Sequence, residues 1–563
     1  MNARSAAVLC WSLLLLPCAA YAQQAGTFGE VLEVGLTSVD VVATDAQGNP
    51  VTGLKASDFE VYEDGKRQAI TNFSAFDGSG SSAVILRDGE TPQEVQEPPA
   101  PRKFIFYIDD SSLTLENRRA IFPSVRKFLS TYVREGDQAL LVTWNRALKV
   151  RVPWTTDRAA IDGALVSLEG ELSSASVLLA ERQRAERLMS KLAQESKEGG
   201  NLAPSWAEVV GVARGYAESR RIDVMQSTNA LTRLLASLTG VDGKKVLVMA
   251  TDDLPTLVGA DLFQHLDNIR ASSALSTGSS FQAGARSSSI ITDTSQYDVS
   301  ITIDTLARAA NATGVTIYGI NPKGLGGPAE GKAGLQMPTE ANLDFARNDQ
   351  SLAGIKMLAN RTGGVAMVGA PADMALERVG RDLSAYYSLG YRSTPGKSPE
   401  RKIEVRATRP GVRVRSRSNV YYRSLEREMA DRVIANHLQS RVANPLGVSL
   451  EADPVAADGS RRLLPVRVVI PMNMLTLLPD GKGGMTGGFS VFTCSSDGQG
   501  GTSGVNVQSQ AIHFTAEQAA QMQGRRIGFA IQVPLEKGRD RISVGVLDHV
   551  SQEQGFVTMK ATL

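Results

Sequence analysis

Between residues 102 and 392 the chain repeats short, almost wholly apolar runs separated by stretches of helical spacing. "KFIFYI", "QALLVTW", "KKVLVMA" and "VTIYGI" are too short for buried helices and have no polar face, so each reads as a strand covered on both sides. Between them the period changes: in "LENRRAIFPSVRKFLSTYV" residues Ile121, Val125, Phe128, Leu129 and Val133 fall on one helical stripe. A further strand, "LKVRVPW", follows the second; "DRAAIDGALVSL" opens a helix on an Asp cap, and "LAGIKMLANRTGGVAMVG" supplies a last helix and strand. The expectation is an α/β fold with a central, doubly wound, mostly parallel sheet, in which the first and fourth strands are neighbours.

Two stretches interrupt this region. Residues 169–220 are charged and helical in composition and read as an inserted amphipathic helix on the surface, and residues 272–300 are rich in Ser, Thr and Gly and read as a mobile loop. All-β domains are expected on either side. Residues 23–86 alternate apolar and polar side chains between tight turns, where Asp40, Asp45, Asp58 and Asp64 are read as turn residues rather than calcium ligands. Residues 87–101 form a Pro-rich acidic linker. Beyond the α/β domain, residues 393–423 supply closing strands. Residues 424–444 form a linking helix with Met429, Val433, Ile434 and Leu438 on one stripe, and residues 445–563 a C-terminal β domain.

Residues 1–22 combine Arg4, an apolar run through Leu16 and a small-x-small site at Ala20 to Ala22, which predicts a signal peptide cleaved near Ala22 and a secreted, periplasmic or cell-surface protein. Lipid attachment at Cys18 is disfavoured by Pro17. With Cys10 and Cys18 in that segment, Cys494 stands alone in the mature chain and is expected to be a buried strand residue, without an intramolecular disulfide. The formal net charge of +1 argues against a nucleic-acid binder. Later runs are too short to span a bilayer, and neither HExxH nor GxSxG occurs. "GGPAEGKA", Gly326 to Ala333, approaches a phosphate loop, but Ala333 replaces the Mg²⁺-holding hydroxyl and Pro328 removes a donor; it reads as a Gly-rich loop.

Chemistry concentrates where two apolar strands end. "FIFYIDDSSLT" delivers Asp109, Asp110 and three hydroxyls; "VLVMATDDLP" delivers Thr251, Asp252 and Asp253. In open parallel sheets ligands bind outside such carboxyl ends. Carboxylate and hydroxyl oxygens without soft ligands suit a hard cation, Mg²⁺ or else Mn²⁺ or Ca²⁺. The same residues also serve as ordinary helix caps.

The alternation, the D-x-S-x-T at Asp110, Ser112 and Thr114, and the TDD at Thr251 to Asp253 resemble a von Willebrand factor A (vWA) domain with its metal-ion-dependent adhesion site. The similarity extends to bacterial, Acidobacteria-type VWFA-related domain proteins, through the segment Val42 to Gly65, the TGG at Thr362 to Gly364 and the YYxLGY at Tyr386 to Tyr391. It covers residues from about 31 to 423. The family's first loop can be laid on this chain in two ways: from Asp110, which fills every position, or from Asp109, the alternative first ligand, which leaves Leu113 without an oxygen. Asp252 matches the aspartate of the family's TDG loop, with Asp253 replacing the glycine, and Thr228 is the middle-loop match without the family's Gly-Thr context.

The resemblance implies an exported, non-enzymatic adhesion protein. Ser112 and Thr114 would bind the cation directly, Asp110 and Asp252 directly or through water, and a carboxylate from a partner protein would complete the shell. Two alternatives stand beside it: a metal-free scaffold or assembly protein of the cell envelope, and a metal-dependent hydrolase, for which no general base is evident.

Overall fold

The computed structural model describes residues 35–77, 80–85, 93–95, 101–171, 173–198, 203–241, 243–276, 294–324, 351–393, 398–438, 443–452, 456–458, 461–480, 484–497, 502–522, 524–535 and 539–561. The signal-peptide segment, residues 277–293 and the Gly-rich loop Gly326 to Ala333 lie outside them.

The central sheet runs in the order Ala366–Gly369, Val315–Gly324, Lys245–Ala250, Lys103–Asp109, Gln138–Trp144, Leu148–Thr155. Numbered by chain position this is 6-5-4-1-2-3, so the first and fourth strands are neighbours, as expected. The first five strands in the chain order of pairing are parallel, and only the edge pair Gln138–Trp144 with Leu148–Thr155 is antiparallel. Its connection, Asn145 to Ala147, is too short for a crossover and can only close a hairpin, in which Arg146 takes a left-handed φ of 58°.

Strand alternation sorts the side chains. Phe104, Phe106 and Ile108 enter one core with helices Leu115–Tyr132, Arg158–Glu169 and Ala372–Ser384. Ile105 and Tyr107 enter the other, with helices Ala203–Ala236, Ala260–Ser276, Ser300–Thr313 and Ala353–Thr362. Both faces are therefore covered, which is why these strands carry no polar alternation.

The insertion is not a surface appendage. Helix Ala175–Lys197 places Ala185, Met189 and Leu192 in the second core, and Ala203–Ala236 runs unbroken for 34 residues, about 50 Å, past residue 220 toward the fourth strand. The Ser/Thr/Gly-rich stretch is also shorter than read: helix Ala260–Ser276 takes its start, and a 3₁₀ turn at Thr294–Tyr297 its end.

The flanking β regions pair across the chain. Strand Tyr386–Ser393, read as part of the α/β domain, lies between Gly35–Thr44 and Ile70–Asp77 in an antiparallel sheet. A second sheet, containing Phe59–Glu63 and Glu400–Ala407, faces it across a core of Val39, Val41, Phe59, Val61, Leu389 and Val405. The expected N-terminal domain and closing strands are thus one sandwich. Buried Glu63 joins its sheets, accepting from Tyr391 Oη at 2.6 Å and Ser393 Oγ at 2.9 Å. Within the expected linker, Gln93–Val95 is a short edge strand of the sandwich.

The C-terminal region is a second two-sheet β unit with its own core, including Val466, Val468, Phe489, Val491 and Val544. Helix Leu425–Ala435 seats Met429 and Val433 against Phe492, Cys494, Leu547 and Phe556. Cys494 is a buried residue of strand Gly484–Ser496, as expected of a lone cysteine.

Candidate functional site at the strand ends

The register between the first and fourth strands sets Ile108 opposite Ala250, so the chain leaves the sheet with Asp109 beside Thr251. Asp109 has the parity of Ile105 and Tyr107, and its carboxylate emerges on their face. It is buried and fully engaged. Oδ1 accepts from Ser111 N at 3.1 Å and Ser111 Oγ at 2.6 Å; Oδ2 accepts from Ser112 Oγ and Thr251 Oγ1, both at 2.7 Å. The two hydroxyls lie 2.8 Å apart.

Asp110 points the other way. Its carboxylate meets Arg118 Nε at 3.4 Å on the opposite face, and Oδ1 is a buried oxygen without a hydrogen bond. Burial pushes this carboxyl up to about 6, against the pull of Arg118. Arg118 is held in turn by the carbonyls of Leu168 and Glu171. Of the two candidate first ligands, Asp109 is the carboxylate that meets Ser112 and Thr251, and one residue of strand parity takes Asp110 out of that cluster.

Asp252 does reach the cluster's rim. It accepts from Thr114 N at 3.1 Å and from Asn117 Nδ2 at 2.7 Å, at the start of helix Leu115–Tyr132. Its contact with Thr114 is to the backbone, because the Thr114 hydroxyl caps that helix by accepting from Asn117 N at 3.4 Å. Asn321, from the fifth strand, donates to Asp252 O at 3.0 Å and fixes the loop. Thr228 is elsewhere: it is buried within its helix and donates to Val224 O at 2.7 Å, as interior threonines do.

Sequence reasoning did not find Arg220 and Asp223, one turn apart on helix Ala203–Ala236. Arg220 is 2% exposed, pairs with Asp223 Oδ2, and donates from Nε to Asp253 Oδ2 at 3.0 Å and from Nη2 to Asp253 O at 2.5 Å. Surrounding carboxylates hold its charge more firmly than burial weakens it, with Asp253 the strongest and Asp109 next. Asp223 accepts from Trp144 Nε1 at 3.0 Å and from Ser111 Oγ at 2.9 Å. Asp253, at the family's glycine position, is thus an arginine partner. The sequence signal was present as R-x-x-D on a helix, but that spacing also describes countless solvent-exposed pairs.

These residues floor two adjoining hollows. One is lined by Ser112, Thr114, Leu178, Leu179, Arg220 and Asp252; the other, sharing Leu178, by Ser111, Val177, Ile222 and Asp223. Exposed apolar side chains stand on both, Val177 at 49%, Ile222 at 42% and Leu179 at 40%, beside the charged Glu181 and Arg182.

The donor set fits a resident divalent cation poorly. The side-chain oxygens of Asp109, Ser112, Thr251 and Asp252 all have hydrogen-bond partners; among the aspartates at the two strand ends, the buried oxygen without one belongs to Asp110, outside the cluster. A buried guanidinium, moreover, stands beside the cluster, paired with Asp223 and Asp253.

No family model matches the chain, and no curated protein does. Among solved structures the likeness is distant. The chain is similar to the human COPII-coat protein Sec24c at 11% identity, over 60% of this chain and 45% of that one, with a TM-score of 0.21. The matched region is less than half of that protein's chain. The mixed, mostly parallel sheet, with its 6-5-4-1-2-3 order, is consistent with a vWA-like fold.

Proposed function

We propose that this is an exported, non-enzymatic protein-binding module of the vWA type, related to the VWFA-related domain proteins, which docks a partner at the carboxyl end of its central sheet. The observation that carries this reading is the pair of adjoining hollows in which Val177, Leu178, Leu179 and Ile222 stand beside a hydrogen-bonded polar floor, at the crevice where such sheets bind ligands. An apolar anchor ringed by polar groups is the usual composition of an interface centre. The partner would seat an apolar side chain between Leu178 and Leu179, with its polar groups meeting Thr114 and Asp252. This corresponds to a metal-free scaffold or assembly role.

A second reading is adhesion through Mg²⁺ and a partner carboxylate. It is favoured by the triangle of Asp109 Oδ2, Ser112 Oγ and Thr251 Oγ1, whose edges of 2.7, 2.7 and 2.8 Å approach the ligand spacing of an octahedral Mg²⁺ shell.

The test is a photo-reactive amino acid at Leu179 or Ile222 in the native cell, with Leu478, equally exposed on the C-terminal unit, as the control. Discrete adducts at the first two positions, lost on V177D and unchanged by chelator, are expected. Equal labelling at Leu478 would contradict the docking site, and loss in chelator would select the second reading.

A further inference from the structure

We infer that strand Asn506–Thr515 of the C-terminal unit is an association edge, and that its occupant is the same strand of a second copy of this chain, paired antiparallel about a two-fold axis at Ser509. Among the described residues this strand is hydrogen-bonded along one side only, to Gly484–Ser496, in register from Thr515 opposite Gly484 to Asn506 opposite Thr493. The backbone groups on its other side have no ladder partner among the described residues. A free strand edge is a template for pairing, and proteins blunt such edges by keeping them short or by placing charge or proline on them.

Elsewhere this chain does both. The edge strands Gln93–Val95, Ala366–Gly369, Arg413–Ser416 and Ser449–Ala452 are four residues or fewer. The longer edges are guarded: Leu148–Thr155 carries Lys149, Arg151 and Pro153, Arg526–Leu535 carries Arg526 and Pro534, and Gln554–Lys560 ends on its lysine. Asn506–Thr515 is ten residues long, and its sequence NVQSQAIHFT holds no lysine, arginine, carboxylate or proline. Most of its side chains are exposed, Val507 at 44%.

The composition selects a second copy as the occupant. Antiparallel self-pairing sets each side chain opposite itself or opposite the residue equally far beyond the axis, so a charge at the axis would face its own kind. With the axis at Ser509, Gln508 faces Gln510 twice on one side of the sheet, and Val507 faces Ala511 twice on the other. A primary amide both donates and accepts, so glutamine satisfies glutamine. Ser509 itself is held from within its own chain by Ser490 Oγ at 2.8 Å. The two glutamines share strand parity with Ile512, which enters the core, so an axis normal to the sheet brings both cores to one side of a continuous sheet.

The experiment measures the mass of the full chain by size-exclusion chromatography with light scattering. The native protein should have twice the mass of one chain. Q508K/Q510K and Q508E/Q510E, each of which sets like charges across the axis, should fall to single-chain mass with native circular dichroism, and an equal mixture of the two should return to the doubled mass. A monomeric native chain overturns the inference, whether its edge is bare or covered by another segment of the same chain. So does a dimer that survives both charge variants, or a mixture that stays monomeric. Should the double variants fail to fold, a short bis-maleimide decides: it should link S509C copies in pairs and leave H513C, far from the axis, unlinked, and the reverse pattern overturns the pairing. The strand-end crevice is scored separately by its own cross-links, so a monomeric native chain would refute this inference and leave that docking site standing.

Discussion

Ser111 Oγ stands between two carboxylates, 2.6 Å from Asp109 Oδ1 and 2.9 Å from Asp223 Oδ2. One hydroxyl thus ties the end of the first strand to the middle of the 34-residue helix that the insertion contributes. Replacing it with alanine removes the shared proton and leaves two acidic groups facing each other. S111A should lose about 2 kcal/mol of stability, roughly the cost of unsatisfied buried acceptors, measured as a lower urea midpoint at an unchanged slope.

Asp110 and Thr228 should behave as structural residues. D110A strips the buried Arg118 of its counter-charge and should cost about 3 kcal/mol, yet rim cross-linking per folded molecule should stay at the native level. T228V exchanges a hydroxyl bonded to its own helix for a methyl of similar shape and should change stability by less than about 1 kcal/mol. Loss of partner contact in either variant, with the fold intact by circular dichroism, would return these side chains to the site.

The sandwich makes the N-terminal strands essential to a segment three hundred residues away. A chain beginning at residue 101 leaves Tyr386–Ser393 without either neighbour, exposing an apolar strand with Tyr387, Leu389 and Tyr391 on its inner face. Such a chain should aggregate, and co-expression of residues 23–100 should restore solubility. A soluble, monomeric truncation by size-exclusion chromatography would contradict the pairing.

The contrast between these two regions shows what was legible in the sequence. In the central sheet the strands were readable, because burial leaves an apolar run in all but the edge strand Leu148–Thr155, and the usual strand order of doubly wound sheets makes the first and fourth neighbours. The sandwich was not readable as one unit: Tyr386 to Tyr391 looks equally apolar whether it ends an α/β domain or pairs with Val39 and Val41, and nothing local specifies a partner at that separation. At the site, Asp252 and Ser112 were found, but the choice between Asp109 and Asp110 turned on where strand parity ends, which a run of polar residues does not mark. Arg220 escaped because its role depends on Asp253, more than thirty residues later, and only the fold brings the two together.

Acid should act first on the C-terminal β unit. Burial lowers the proton affinity of His437 and of His549, the latter against the opposing pull of Asp548 and Glu426. Both bind a proton less readily in the fold than in the unfolded chain, where a histidine titrates at about 6.5. The unfolded chain therefore binds more protons near and below that value, so the stability these residues permit is complete above about pH 6.5 and declines as pH falls below it. Thermal unfolding between pH 7 and 5 should show this decline, and H437Q/H549Q should flatten it. An equal slope in the double variant would contradict the assignment.

The most direct test of the account is a crystal soaked in Mn²⁺ and measured at the manganese edge. The account predicts continuous density for the Arg220 guanidinium between Asp223 and Asp253, with no anomalous peak near Asp109, Ser112 and Thr251. A peak within coordination distance of those three oxygens would contradict it.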